Sequence, residues 1–144
     1  MNKVTLKFKS RMENEAFARI ATVSFLAPLN PTFEEMMEIK TIVSEAVTNA
    51  ILHGYDSNPN KTVKLEIGYD KNRCVTMIIS DTGNGIVDVE KAIQPLYTTK
   101  AELERSGMGM TIMQSFSDSF DVISCIKEGT SVVIQKQLQE PEQS

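Results

Sequence analysis

Thr62-Val-Lys-Leu-Glu-Ile-Gly-Tyr-Asp-Lys-Asn-Arg-Cys-Val-Thr-Met-Ile-Ile-Ser-Asp81 is the stretch that decides the fold. Val63, Leu65 and Ile67 alternate with polar neighbours, the period of a half-buried strand. Asp70-Lys71-Asn72 supplies a hairpin turn. Cys74 to Ser80 returns as a second, more apolar strand carrying Val75, Met77, Ile78 and Ile79. A short hairpin joins antiparallel strands. Asp81 falls at the end of the second strand, and Thr82-Gly83-Asn84-Gly85 follows it.

Upstream, Val4, Leu6 and Phe8 alternate with Lys3, Thr5, Lys7 and Lys9, which predicts an edge strand. Met12 to Ala27 has helical spacing, with Phe17, Ile20, Ala21 and Ser24 on one side. Pro28 and Pro31 end that helix. Thr32 followed by Glu35 is a capping box, so a second helix is expected from Phe33 to His53, with Gly54 as its stop. Asp56 to Asn60 is a turn cluster. Downstream, residues 88–93 suit a turn or two of helix, and Gln94 to Ser106 has no clean period. Gly109 to Phe116 reads as a helix; Phe120, Val122 and Ile123 begin a strand, and Val132 to Leu138 forms the last one. Strands and helices are segregated. The expected class is α+β, a two-layer α/β sandwich whose mixed, mostly antiparallel sheet carries its helices on one face. One domain is expected over residues 1–138, with a frayed polar tail over 139–144.

The composition is that of an ordinary soluble domain, 41% hydrophobic and 24% charged. The net charge is −4 and the fifteen Lys and Arg are scattered, so no basic stripe offers itself to nucleic acid. No apolar run approaches the ~18 residues of a membrane span, and the amino terminus lacks the apolar core of a signal peptide. A cytoplasmic protein is expected. Cys74 and Cys125 read as buried free thiols. His53 is the sole histidine, and no protein-built metal cluster is visible.

Two segments carry chemistry. In Glu45-Ala-Val-Thr-Asn49-Ala-Ile-Leu-His53-Gly54, Glu45 and Asn49 stand about 40° apart and one turn along. The stripe Ile39, Val43, Ala46 and Ala50 should face the sheet, which leaves Glu45 and Asn49 on its flank. An amide oxygen suits Mg²⁺, which keeps most of its waters and takes phosphate oxygens. A carboxylate beside it can accept a proton from an attacking hydroxyl. Asp81 at a pocket mouth can accept a hydrogen bond from the 6-amino group of adenine, whereas guanine presents a carbonyl there. Ser106-Gly107-Met108-Gly109 opens a helix, a place that favours phosphate. Thr98, Thr99, Lys100 and Arg105 suit a loop folding over a triphosphate. Taken singly, each motif also has a plain reading. These are a solvated Glu–Asn pair, a type I turn, a flexible hinge and a polar loop, with His53 as a cap favoured by the helix dipole.

The ordered series Glu-x-x-x-Asn, Asp-x-Gly-x-Gly, Gly-x-Gly and Gly129-Thr130 resembles the ATP-binding fold shared by gyrase, the Hsp90 chaperone, histidine kinases and MutL. Asn14-Glu-Ala-Phe-Ala-Arg19, Glu45 to Tyr55, Gln94-Pro-Leu-Tyr-Thr-Thr-Lys100 and Glu102 to Gly109 look like one branch, the sporulation anti-sigma F factor family. Its members are serine kinases that also sequester a sigma factor. The resemblance spans residues 3–138. It implies Glu45 as general base, Asn49 as Mg²⁺ ligand and Asp81 as the adenine contact. Gly83, Gly85, Ile86 and Thr130 would line the base pocket, with His53 nearby. Thr98, Thr99, Lys100, Arg105, Ser106, Gly107, Met108 and Gly109 would form the lid and phosphate contacts for ATP or ADP. Arg19 would face the sigma factor, a sigma F type, and Glu104 and Arg105 would meet an anti-anti-sigma protein, the phosphoacceptor. A homodimer is implied as well. The alternatives are an ATP/ADP-gated binding module without phosphotransfer and a plain ATPase.

Overall fold

The computed structural model describes residues 1–86 and 109–141. Its elements run β1 (Asn2–Lys9), α1 (Glu13–Leu26), α2 (Phe33–Asn49), β2 (Thr62–Tyr69), β3 (Cys74–Asp81), α3 (Gly109–Ser115), β4 (Ser119–Cys125) and β5 (Gly129–Gln137). A 3₁₀ turn, Ala27–Leu29, follows α1, and a π-helical turn, Ala50–Gly54, follows α2. The sheet order is β1-β2-β3-β5-β4. All four pairings among the described strands are antiparallel, so the expected mixed sheet is antiparallel throughout.

The alternation of the strands decides which face is covered. Val63, Leu65 and Ile67 of β2, Val75, Met77 and Ile79 of β3, and Val132 and Ile134 of β5 are buried on the inner face. Against them lies the stripe of α2 and its π turn, with Ile39, Ile42, Val43, Ala46, Val47, Ala50 and Ile51 at 5% exposure or less. Each fully buried aliphatic chain of this size contributes roughly 1.5–3 kcal/mol, so this seam dominates the fold. It fixes the axis of α2 and with it the direction of Glu45 and Asn49.

The expected face of α1 is corrected. Phe17 and Ile20 are 55% and 66% exposed, while Ala18, Thr22 and Leu26 are fully buried. Positions 18, 22 and 26 repeat every four residues and so share one face of the helix. Small side chains there allow close approach to α2, and the Thr22 hydroxyl is satisfied by the Ala18 carbonyl at 2.8 Å. Cys125 is exposed rather than buried, because β4 is an edge strand and position 125 points to the outer face; Cys74 is half-buried.

Thr32 caps α2 as expected. Its hydroxyl accepts the Glu35 N–H at 3.0 Å, and Glu35 Oε1 accepts the Thr32 N–H at 2.8 Å. Glu35 Oε2 also takes the Gln139 N–H at 2.8 Å, and Arg73 Nε donates to the Gln139 carbonyl at 2.9 Å. Gln139, expected to begin the frayed tail, is therefore tied down at both its backbone groups. Chemical denaturation should show Thr32→Ala costing about 1 kcal/mol. Glu35→Ala should cost about 2–3 kcal/mol, because it removes a carboxylate acceptor that serves two backbone donors.

Candidate functional site

Asp81 is the last inward residue of β3, after Val75, Met77 and Ile79. The pleat thus places a carboxylate where a fourth apolar side chain would have closed the core. Asp81 is 9% exposed and pairs across the ladder with Thr130 of β5, itself buried. Burial pushes its carboxyl above the ordinary aspartate value, against the opposing effect of backbone hydrogen bonds from Gly83 and Thr130. Gly83 N–H donates to Asp81 Oδ1 at 2.9 Å. The result is a buried acceptor at the end of β3 that stands against Gly54 of the π turn.

The loop after Asp81 sits directly on the π turn. Gly83 lies so close that a side chain there would run into the Gly54 carbonyl. The same carbonyl accepts the Asn84 N–H at 2.8 Å. Asn84 Nδ2 donates to Asp56 Oδ2 at 2.8 Å and to the His53 carbonyl at 3.3 Å. The helical run ends at Gly54, where a stop was expected, yet its φ is not positive. Its need is proximity, since a Cβ there would stand 2.7 Å from Asp81 Cγ. The helix also does not simply end, because Tyr55 N–H reaches the Ala50 carbonyl at 3.0 Å and closes the π turn. Single π turns of this kind are frequent at functional sites. Gly85 does need its freedom, with φ at +77°.

Glu45 and Asn49 are half-buried on the flank of α2, as their spacing predicts. They converge on the first turn of α3. A Cβ at Gly109 would lie 2.8 Å from Glu45 Oε2 and 3.3 and 3.6 Å from the two polar atoms of the Asn49 amide. Gly109 therefore leaves open the space that both side chains border. Among the described residues no group of three His, Cys, Asp or Glu side chains could hold a metal. The donor set fits a single amide ligand whose ion completes its shell with phosphate and water, the habit of Mg²⁺ rather than of a caged metal.

Ser124 on β4 joins two further predicted residues. Its Oγ accepts the Ile86 N–H at 2.7 Å and lies 2.8 Å from Thr130 Oγ1. So the structure brings Asp81, Gly83, Gly85, Ile86 and Thr130 into one group beside Gly54, and Glu45, Asn49 and Gly109 into another, both anchored on α2 and its π turn. His53 enters through its carbonyl bond to Asn84. Arg19 sits on α1, which supplies neither group, and pairs with Glu15 at 3.2 Å. Thr98, Thr99, Lys100, Glu104, Arg105, Ser106, Gly107 and Met108 lie outside the described residues. Sequence reasoning missed Ser124, Asn84 and Tyr55. Their contacts span tens of residues, and no local pattern marks them.

The titration of Asp81 has a consequence for binding. Only its ionised form presents two acceptors, so recognition of an exocyclic amine should fade as pH falls through the raised carboxyl pKa. That fade should begin at higher pH than for an ordinary aspartate, whose value is 3.8. The ratio of affinities for adenosine and inosine diphosphate, taken by calorimetry from neutral pH downwards, cancels phosphate titration. It is expected to shrink towards acid.

The matching family model is the histidine kinase-like ATPase domain, over residues 8–136. The anti-sigma F factor of Oceanobacillus iheyensis is 52% identical over 137 residues, covering 95% of this chain and 93% of that protein. The anti-sigma F factor of Shouchella clausii is 54% identical with the same coverage. Among solved structures, the RsbU and RsbW domains of a Mycobacterium tuberculosis protein superpose with a TM-score of 0.71 at 13% identity, covering 98% of this chain and 34% of that one. The catalytic domain of the histidine kinase ThkA gives a TM-score of 0.53 at 17% identity, covering 96% and 99%. Those two likenesses show a shared fold. With more than half of the aligned residues identical to those of the two anti-sigma F factors over 95% of its length, and the family model matched over residues 8–136, the chain belongs to the anti-sigma F factor family of histidine kinase-like ATPase domains.

Proposed function

We propose that this chain is an ATP-dependent protein-serine kinase that also sequesters a sigma factor of the sigma F type, with an anti-anti-sigma protein as phosphoacceptor. The observation that carries the reading is the convergence of the Glu45 carboxylate and the Asn49 amide on the space left by Gly109. The adenine amine bonds to Asp81 in the group formed with Gly83, Gly85, Ile86 and Thr130. Asn49 would hold Mg²⁺, which would supply neutralising charge for the phosphates. Glu45 takes the proton from the acceptor serine hydroxyl as its oxygen attacks the γ-phosphorus in line, and ADP leaves. His53 supports the base loop through its carbonyl.

Thr98, Thr99, Lys100, Arg105, Ser106, Gly107 and Met108 close over the phosphates as a lid, and Glu104 and Arg105 meet the acceptor protein. On α1, Arg19 meets the sigma factor, and exposed Phe17 and Ile20 leave further apolar surface on the same helix. The working form is a cytoplasmic homodimer. No described helix is long and apolar enough to cross a membrane.

The test is incubation with γ-labelled ATP, magnesium and a candidate anti-anti-sigma protein, followed by phosphosite mapping. Label on one partner serine is the expected result. Nucleotide-dependent complexes without label would leave a gated binding module in its place, and release of free phosphate with no partner present would make it an ATPase.

A further inference from the structure

Tyr55 is 6% exposed, and its hydroxyl is fully used. It donates to the Thr62 carbonyl at 2.6 Å and accepts the Thr82 N–H at 2.8 Å, with Thr82 Oγ1 at 3.3 Å. A phenol has one proton and two lone pairs. With the proton given to Thr62, the lone pairs are what hold Thr82. Thr82 is the link between Asp81 and Gly83, so this bond fixes the peptide plane from which the recognition loop departs. The next N–H, that of Gly83, is taken by Asp81 itself. The following one, that of Asn84, goes to Gly54. Three successive backbone donors are thus committed, two of them to the dipeptide Gly54-Tyr55.

The ring of Tyr55 is placed by the π turn, whose closing bond is its own N–H to Ala50. The same α2 scaffold therefore sets the Asn49 amide at its end and, one residue past its π turn, the phenol that seats the base loop. A change in the seat would tilt the Asp81 carboxylate without touching the Glu45–Asn49 group.

We propose that Tyr55 is a positioning residue for base selection, its hydroxyl holding Asp81 at the angle that favours a 6-amino over a 6-oxo purine. This rests on the assignment of Asp81 to the adenine amine. The expected signature is specific: loss of the hydroxyl lowers affinity for the amino base and leaves the oxo base nearly unchanged.

The experiment measures calorimetric affinities of the full chain for adenosine and inosine diphosphates with magnesium, for the parent and for Tyr55→Phe. The phenyl ring is kept, so the core contact survives. The parent should prefer the amino base, and the variant should lose about tenfold of that preference. A parent that prefers the amino base beside a variant with the same ratio would overturn the role of Tyr55 alone. A parent with no preference would remove the Asp81 assignment and the proposal with it. Amide exchange at Thr82 in the parent without nucleotide is a second reading that needs no variant. Slow exchange is expected, and exchange as fast as in an open loop would contradict the seat.

Discussion

Glu45→Ala is expected to abolish phosphotransfer while nucleotide binding stays close to that of the parent. The carboxylate borders the space at Gly109 next to the Asn49 amide, and base recognition is assigned to the separate group around Asp81. A positioned general base contributes roughly 10²–10⁴-fold, so label transfer to the acceptor serine should fall by that factor. Affinity for ADP should change little, because the side chain removed is an acceptor that repels phosphate rather than binds it. Sigma-factor binding should likewise persist, since it is assigned to α1. Transfer at the parent rate would take Glu45 out of the mechanism.

The second large effect is expected at Asp81→Asn. Gly83 N–H already occupies one carboxylate oxygen. In the variant the amide oxygen keeps that bond, and the NH₂ group then faces the adenine amine, donor against donor. Losing a hydrogen bond to a charged acceptor and gaining that clash should weaken ADP roughly 10- to 100-fold. Stability should move the other way. Burial raises the folded pKa of Asp81, so the ionised form is the one the fold disfavours. A raised carboxyl pKa contributes stability below the unfolded value, and that contribution is lost as pH rises through the folded one. Once ionised, Asp81 is therefore a buried charge that Asn removes. The variant should melt at higher temperature at pH 7, and the gap should close in acid below the unfolded aspartate pKa. A more stable protein that binds less tightly is the mark of a residue kept for recognition.

Some of this was legible in the sequence because the signals are local. Val63, Leu65 and Ile67 alternate cleanly, and β2 lies where they predict. Thr32 and Glu35 announce the start of α2, and the reciprocal bonds form. The Glu45–Asn49 spacing needs only a helix to place both side chains together. The misreadings have a common cause, that tertiary contact overrides local pattern. On α1 the larger apolar residues, Phe17 and Ile20, drew the face towards themselves, but close packing against α2 selects Ala18 and Thr22. Gly54 does end the helical run as expected, but its lack of a side chain answers to a carboxylate 27 positions away. Tyr55 and Ser124 act through hydroxyls whose partners come from other strands, which no window along the chain can reveal.

The most direct test of the central claim is a crystal structure of the full chain with magnesium and a non-hydrolysable ATP analogue. The account predicts the 6-amino group within hydrogen-bonding distance of the Asp81 carboxylate. It also predicts the metal on the Asn49 amide oxygen and the γ-phosphate beside Glu45. A nucleotide bound with its base away from Asp81, or a metal with no bond to Asn49, would contradict it.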